Sequence, residues 1–355
     1  MRALIENEWI NFIIALVAGL LTAIFQFTHL NAALTFLFSA ISLAVLALVV
    51  GQATEQLGNF LGPGATGIIQ ASIASMPELF VSFFALQAGL MTVVQSALVG
   101  SILANSLLVM GLAFLLGGWK NGTQRFGSER PRAIVILMLL AVSALVVPTI
   151  TNAIHTPAAA HEETLSIASA LVLLVVFIAS ILFSLKGGQI GETVPATEYD
   201  EKRWSLQRVI FVLVAAGIGA AFVSDWFVEA LEPTIESFHI SQAFAGLVIV
   251  AIAGNAVENV VGIQLAIKNK ADYAISVVMN SSLQVALALT PILVILSYFF
   301  TPFPLTLVLP PLLVISLALT AVLSALIVYD GESNWLEGLA LIGLYIMIAI
   351  SFWWG

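Results

Sequence analysis

Long apolar runs dominate this chain and leave it few ways to fold. Residues 9–27 read "WINFIIALVAGLLTAIFQF", and comparable runs recur to the C-terminus. About twenty apolar residues span the hydrocarbon core of a bilayer as a helix. On that measure the sequence predicts eleven helices, near 9–28, 31–58, 64–88, 91–118, 131–150, 163–185, 205–231, 241–266, 271–300, 304–329 and 334–354. Composition agrees, with 61% of residues hydrophobic, 9% charged and a mean hydropathy of +1.09. A soluble domain is nearer half apolar and a quarter charged. The expected fold class is an all-α polytopic membrane protein. The first apolar run follows two acids and shows no small-residue cleavage signal, so it reads as a span rather than a signal peptide.

Lys and Arg resist translocation and set orientation. All eleven fall on the N-terminal side of the predicted spans: Arg2, Lys120, Arg125, Arg130, Arg132, Lys186, Lys202, Arg203, Arg208, Lys268 and Lys270. The other side carries Glu162, Glu163, Glu229, Glu232 and Glu236. The reading is a multi-pass protein of a cell membrane, a prokaryotic plasma membrane, with its N-terminus cytoplasmic and its C-terminus outside. Only "THLN" separates the first two runs; joining them gives ten helices and flips only Arg2. The four histidines, His29, His155, His161 and His239, lie on the outer side. They read as wet loop residues, with an external pH- or metal-sensing role as the alternative.

The two halves of the chain answer each other. "ASIASMPE" (71–78) matches "AIAGNAVE" (251–258), and "VGSILANSLL" (99–108) matches "MNSSLQVALA" (279–288). Glu78 and Glu258 stand 180 residues apart, as do Ser101 and Ser281. Five helices per half bring the second half in from the opposite side, an inverted repeat of the kind that builds secondary transporters. The expected domains are an extra N-terminal helix (1–29), a first five-helix repeat (30–186), a cytoplasmic linker (187–204) and a second, inverted repeat (205–355). The linker's acids, Glu192, Glu198, Asp200 and Glu201, read as solvated, with a regulatory element as the alternative.

Glu78 and Glu258 are the two acids furthest from any predicted helix end. A charge at that depth costs at least about 2.5–3.5 kcal/mol on insertion scales. The bland reading is a carboxylate paired with a Lys or Arg, but no basic residue lies deep in any span. Both acids are therefore candidates for ion binding and proton coupling. Ser75 and Asn255 each precede a Glu by three residues, on the same helical face. Pro77 removes a backbone N–H and releases carbonyls near Ile73 and Ala74, and Gly254 weakens the corresponding turn. The next helices offer Ser101 and Asn105, then Ser281, Ser282 and Gln284 as supporting ligands. Each of these could instead be helix–helix glue.

Two carboxylates with amide and hydroxyl oxygens suit a hard cation. Ca²⁺ fits best, since it takes six to eight oxygens in flexible geometry, whereas Zn²⁺ favours nitrogen and sulfur. One Ca²⁺ or two protons would neutralise the pair, and an empty, doubly charged site should resist moving between inward and outward states. Ca²⁺ enters as transported substrate, with no cofactor. The expected partners are Ca²⁺, H⁺ and the lipid bilayer. A net charge of −9 argues against nucleic acid. With no cysteine, disulfides and thiolate sites are excluded.

The stretch "ISQAFAGLVIVAIAGNAVENVVGIQLAIKNKADYAISVVMNSSLQVALALTPILV" resembles the second repeat of the cation/proton exchangers of the Ca²⁺/cation antiporter superfamily. "GQATEQLG", "VVQSALVGSILANSLLVMG" and "DGESNWLEG" resemble that family as well, over residues about 45 to 355. The resemblance implies eleven helices, one functional Glu per repeat and Ca²⁺/H⁺ exchange. Two departures stand out. "ASMPELF" is closer to the Ser-x-Pro-Glu of the sodium/calcium exchanger branch, and Asn280 stands where the family usually has Gly. A Na⁺/Ca²⁺ exchanger is the nearest alternative, although "GSILAN" and "NSSLQ" lack the Gly-Ser-Asn pattern of that branch. An enzyme is not expected, since no span holds a nucleophile with its base, and a passive channel is the remaining class.

Overall fold

The computed structural model describes residues 8–28, 31–58, 60, 75–127, 129–185 and 204–354. Arg2, His29, Lys186, the linker acids with Lys202 and Arg203, and the carbonyls of Ile73 and Ala74 lie outside them. The chain is an all-helical, multi-pass membrane protein. Among the described residues eight helices are long and apolar enough to cross a bilayer, and a broken pair over Gln242–Ile267 makes nine. Two shorter apolar helices, Met76–Gln87 and Trp335–Ser351, stand where the third and eleventh spans are predicted.

The chain divides into two compact units that do not follow its sequence halves. The first holds residues 1–88, 191–240 and 253–257. In it α1 (Glu8–Thr28), α2 (Ala32–Gly58), α3 (Met76–Gln87) and α8 (Leu206–Phe238) pack together. Val49, Val50, Ala53, Val209, Val212 and Ala216 form its core. Trp204 closes one end of that core, 3% exposed, with the Arg208 guanidinium 4.2 Å from its ring.

The second unit holds residues 89–190, 241–252 and 258–355. Between α3 and α8 come α4 (Met91–Leu103), α5 (Met110–Asn121), α6 (Glu129–Ala153) and α7 (Glu162–Leu185). After α8 come α9 (Gln242–Phe244), α10 (Ala251–Gly254), α11 (Ala256–Ile267), α12 (Ala271–Gln284), α13 (Thr290–Phe300), α14 (Pro311–Asp330) and α15 (Trp335–Ser351). The last two residues of α10 and the first two of α11 fall in the first unit. A short ribbon pairs β1 (Gln124–Arg125) with β2 (Glu332–Ser333). Within this unit α4 crosses 245–250 backbone to backbone. A Cβ on Gly100 would lie 2.5 Å from the Leu247 Cα, and one on Gly246 would strike the Val93 carbonyl. Small residues let membrane helices approach this closely.

Element boundaries repeat along the chain. α3 and α11 begin 180 residues apart and end 180 apart, and α4 and α12 begin 180 apart. Wide, π-helical turns interrupt both second helices, at Ala104–Val109 and Val285–Leu289. A third lies at Ala245–Val250. Such turns recur at functional sites.

The tenth predicted helix is corrected. It begins at Pro311 rather than 304. Prolines at 302, 304, 310 and 311 forbid helix there and bias the preceding residues to extended backbone, while Pro311 fits a first helical turn. Residues 304–310 therefore run extended, with Leu305, Leu307 and Leu309 buried. Non-helical backbone at membrane depth is tolerated only where protein or water satisfies it. Here the Leu305 N–H donates to the Ser297 hydroxyl (2.7 Å), Leu307 to Ser166 (2.9 Å) and Leu309 to Thr149 (2.8 Å). The Gln95 amide donates to the carbonyls of Thr306 (3.0 Å) and Val308 (3.1 Å).

The polar connector 117–131 is also more ordered than its composition suggests. Gln124 donates to the Ala266 carbonyl and to Asn269, each at 2.9 Å, and the Gly127 N–H donates to Asp272. Glu337, predicted near a helix end, sits in a capping box with Asn334. His155 and His239 are exposed, left-handed residues at helix ends, and His161 ends a short 3₁₀ turn.

Candidate functional site

The "SMPE" stretch folds as a helix start. Ser75 takes the N-cap position of α3, Pro77 falls in its first turn and Glu78 is the third helical residue. The Leu79 N–H closes the first turn on the Ser75 carbonyl at 3.0 Å. α3 thus begins at Met76, inside the span predicted at 64–88, and the carbonyls that Pro77 is expected to release lie outside the described residues. At its position the missing N–H would have had no acceptor within the helix. The N-terminal end of a helix also favours a carboxylate. Glu78 is 5% exposed, and Asn255 donates from Nδ2 to its Oε1 at 3.3 Å. A Cβ on Gly254 would lie 3.4 Å from the Glu78 Cγ, so the bare glycine lets this side chain rest against the backbone.

The second carboxylate follows the same plan. The helix that begins at Gln242 stops at Gly254 and restarts at Ala256, so Glu258 is again the third residue of a new helix. Ser-x-x-Glu and Asn-x-x-Glu share the spacing of a capping box. Ser75 and Asn255 are therefore junction residues, not members of a continuous helical face with their own Glu. Asn255 serves the carboxylate of the other half of the sequence. On α11, a Cβ on Gly262 would press the Val278 side chain of α12 at 2.6 Å. Glu258 lies one turn from Gly262 and Ser282 one turn from Val278, so the antiparallel register sets Glu258 level with Ser281 and Ser282.

The remaining candidates cluster where α4 and its π-helical turn meet α12. Asn105 donates from Nδ2 to the Ser281 hydroxyl at 3.0 Å, and the Ser106 and Ser282 hydroxyls are 3.3 Å apart. Ser101 is fully buried beside them in sequence, and Gln284 is half-buried. The two pairs make these helices adhere, as the glue reading expects. The bond to Ser281 uses the nitrogen of the Asn105 amide and not its oxygen. Its Oδ1 is buried and has no hydrogen-bond partner among the described residues. Sequence reasoning missed two residues here. Ser106 pairs with Ser282 at the same 176-residue separation that joins Asn105 to Ser281. Asn259, beside Glu258, is 9% exposed, and its Oδ1 has no hydrogen-bond partner among the described residues. Their adjacency to Asn105 and Glu258 was the available signal.

Comparison with known proteins gives this geometry a family. The profile of the sodium/calcium exchanger protein family matches residues 31–186 and 208–354. The Ca²⁺/H⁺ antiporter ChaA of Bacillus subtilis (strain 168) is 35% identical over 348 residues, covering 96% of this chain and 98% of that protein. The solved structure of native YfkE is 32% identical, with a TM-score of 0.82 over 97% of this chain and 99% of that one. The H⁺/Ca²⁺ exchanger CAX shares the fold at 17% identity, with a TM-score of 0.75 over 98% of this chain and 92% of that one. The chain belongs to the sodium/calcium exchanger protein family and, within it, to the cation/proton exchangers.

Proposed function

We propose that this protein is a secondary active transporter that exchanges Ca²⁺ for protons by alternating access. Glu78 and Glu258 supply the carboxylates that hold one Ca²⁺ or carry protons in its place. Ser75, Asn255, Ser101, Asn105, Ser281, Ser282 and Gln284 are supporting oxygens. The observation that carries the reading is the buried Glu78 at the head of a helix, where the Asn255 amide donates to its carboxylate. An amide leaves the negative charge in place for a cation or a proton to neutralise. Asn105 adds a buried amide oxygen that a hard cation would satisfy. ChaA and YfkE are both named as Ca²⁺/H⁺ antiporters, which supports the same two ions here.

Two five-helix repeats of opposite orientation, after an extra N-terminal helix, support alternation between two access states. The recurrence of α3 in α11 and of α4 in α12 supports that layout, with 1–29, 30–186, 187–204 and 205–355 as its segments. The distribution of Lys and Arg supports a cytoplasmic N-terminus and an external C-terminus.

The test is purified protein in sealed vesicles, with Ca²⁺ entry followed under a pH gradient and, separately, under a Na⁺ gradient. Uptake driven by the pH gradient and not by Na⁺ is expected. Uptake driven by Na⁺ alone would assign sodium/calcium exchange instead. Downhill Ca²⁺ flux without countertransport would make the protein a channel.

A further inference from the structure

α11 and α12 form a helical hairpin about Asn269, a left-handed residue at φ 59°. Its N–H bonds the Ala266 carbonyl at 3.0 Å, and Lys270 closes on Leu265 at 2.9 Å. Residues equally far from that turn lie at equal depth. Glu258 comes eleven residues before it and Asn280 eleven after it, about 16 Å along each helix. Gly262 pressed on Val278 gives a register within two residues of this, about 3 Å along the helix. Asn280 thus stands at the depth of Glu258 in the same compact unit.

α12 turns Ser281 and Ser282 inward to their partners on Asn105 and Ser106. Asn280 and Gln284, one helical turn apart, occupy a different stripe. Both are half-buried, and neither makes a hydrogen bond among the described residues. The side chains of α12 argue against lipid as the neighbour of that stripe. Among the described residues no large apolar side chain of α12 is exposed, and the exposed ones in this hairpin and its continuation begin at Tyr298. A partly open amide at membrane depth needs water or an ion, because hydrocarbon offers no hydrogen bond. The counterpart of Asn280 in the first half, Gly100, has no room for a side chain against Leu247. The amide at 280 therefore has no counterpart in the first half.

We infer that Asn280 is a cation-selecting residue on the path to Glu258. Its amide oxygen and that of Gln284 form a two-oxygen station at which an entering cation exchanges water for protein. Such a station favours Ca²⁺, with its adaptable oxygen shell, over Mg²⁺, which gives up its waters reluctantly. This rests on the exchange reading above. The experiment compares Asn280→Gly, Asn280→Leu and Asn280→Gln in vesicles under a pH gradient, with direct Ca²⁺ titration of each purified protein. One lost ligand bond should raise the KM for Ca²⁺ and weaken binding by roughly three- to tenfold in the Gly and Leu variants. The maximal rate should hold, the preference for Ca²⁺ over Mg²⁺ should fall, and Asn280→Gln should recover part of the affinity. Unchanged KM, binding and preference in the Gly and Leu variants would overturn the inference. A role in packing alone would lower the maximal rate and thermal stability of all three together, with KM unmoved, and would overturn it too. If the wild-type protein shows no proton-driven uptake, the exchange reading fails, and the Ca²⁺ titrations still decide the role of Asn280.

Discussion

Thr149→Val probes the extended segment at 304–310 with almost no change of shape. The threonine is 6% exposed. Its hydroxyl donates to the Leu307 carbonyl at 3.0 Å and accepts from the Leu309 N–H at 2.8 Å. Valine fills the same volume and breaks both bonds. A buried N–H left without an acceptor costs about 1–3 kcal/mol, and a lost neutral hydrogen bond about 0.5–1.5 kcal/mol. Together these predict a destabilisation of about 2–4 kcal/mol. At about 2 °C per kcal/mol for a long chain, the melting temperature should fall by about 4–8 °C. Fluorescence of the seven tryptophans during heating in detergent would report it. Ser143→Ala on the same helix is the control, because the Ser143 hydroxyl only bonds back to Leu139 at an exposed position. It should move the melting temperature by less than about 1 °C, since exposed substitutions stay within about 0.5 kcal/mol. Equal shifts for the two variants would refute the claim that side-chain hydroxyls hold this backbone at depth.

Gly100→Ala would drive a methyl into the Leu247 backbone, with 2.5 Å to Cα and 2.8 Å to the carbonyl carbon. Overpacking of this kind costs about 1–3 kcal/mol, so the melting temperature should fall while Ser143→Ala leaves it in place. Asn255→Ala removes the donor to Glu78 and the residue at the helix junction. A hydrogen bond to a charged group is worth about 1.5–3 kcal/mol, so kcat/KM for Ca²⁺ uptake should fall at least about tenfold. A smaller loss would show that Asn255 does not hold the carboxylate.

Much of this architecture is readable from residue spacing. The apolar runs mark the spans, and the 180-residue echo of "SMPE" in "NAVE" picks out Glu78 and Glu258 before any coordinates exist. The same echo returns in the bounds of α3 and α11. Hydropathy misses breaks inside an apolar run, because a restarted helix and a continuous one have the same composition. Gly254 and Pro77 are the visible signs, the glycine ending one helix and the proline standing in the first turn of another. The segment at 304–310 failed for a related reason. Its leucines satisfy a helical pattern, and only the four prolines around them argue for extended backbone. The π-helical turns leave no sequence mark, being one-residue shifts in backbone hydrogen bonding. Asn255 was placed with its sequence neighbour Glu258, whereas its amide reaches Glu78, a contact that only the fold makes.

The central claim is that Glu78 and Glu258 couple Ca²⁺ to protons, and paired flux recording tests it most directly. Ca²⁺ entry and proton exit would be followed together in vesicles holding the wild-type protein, Glu78→Gln or Glu258→Gln, with each variant shown to melt as the wild type does. The account predicts opposed, stoichiometric fluxes in the wild type and loss of both in either variant. Full Ca²⁺/H⁺ exchange by a correctly folded Glu78→Gln or Glu258→Gln protein would contradict it.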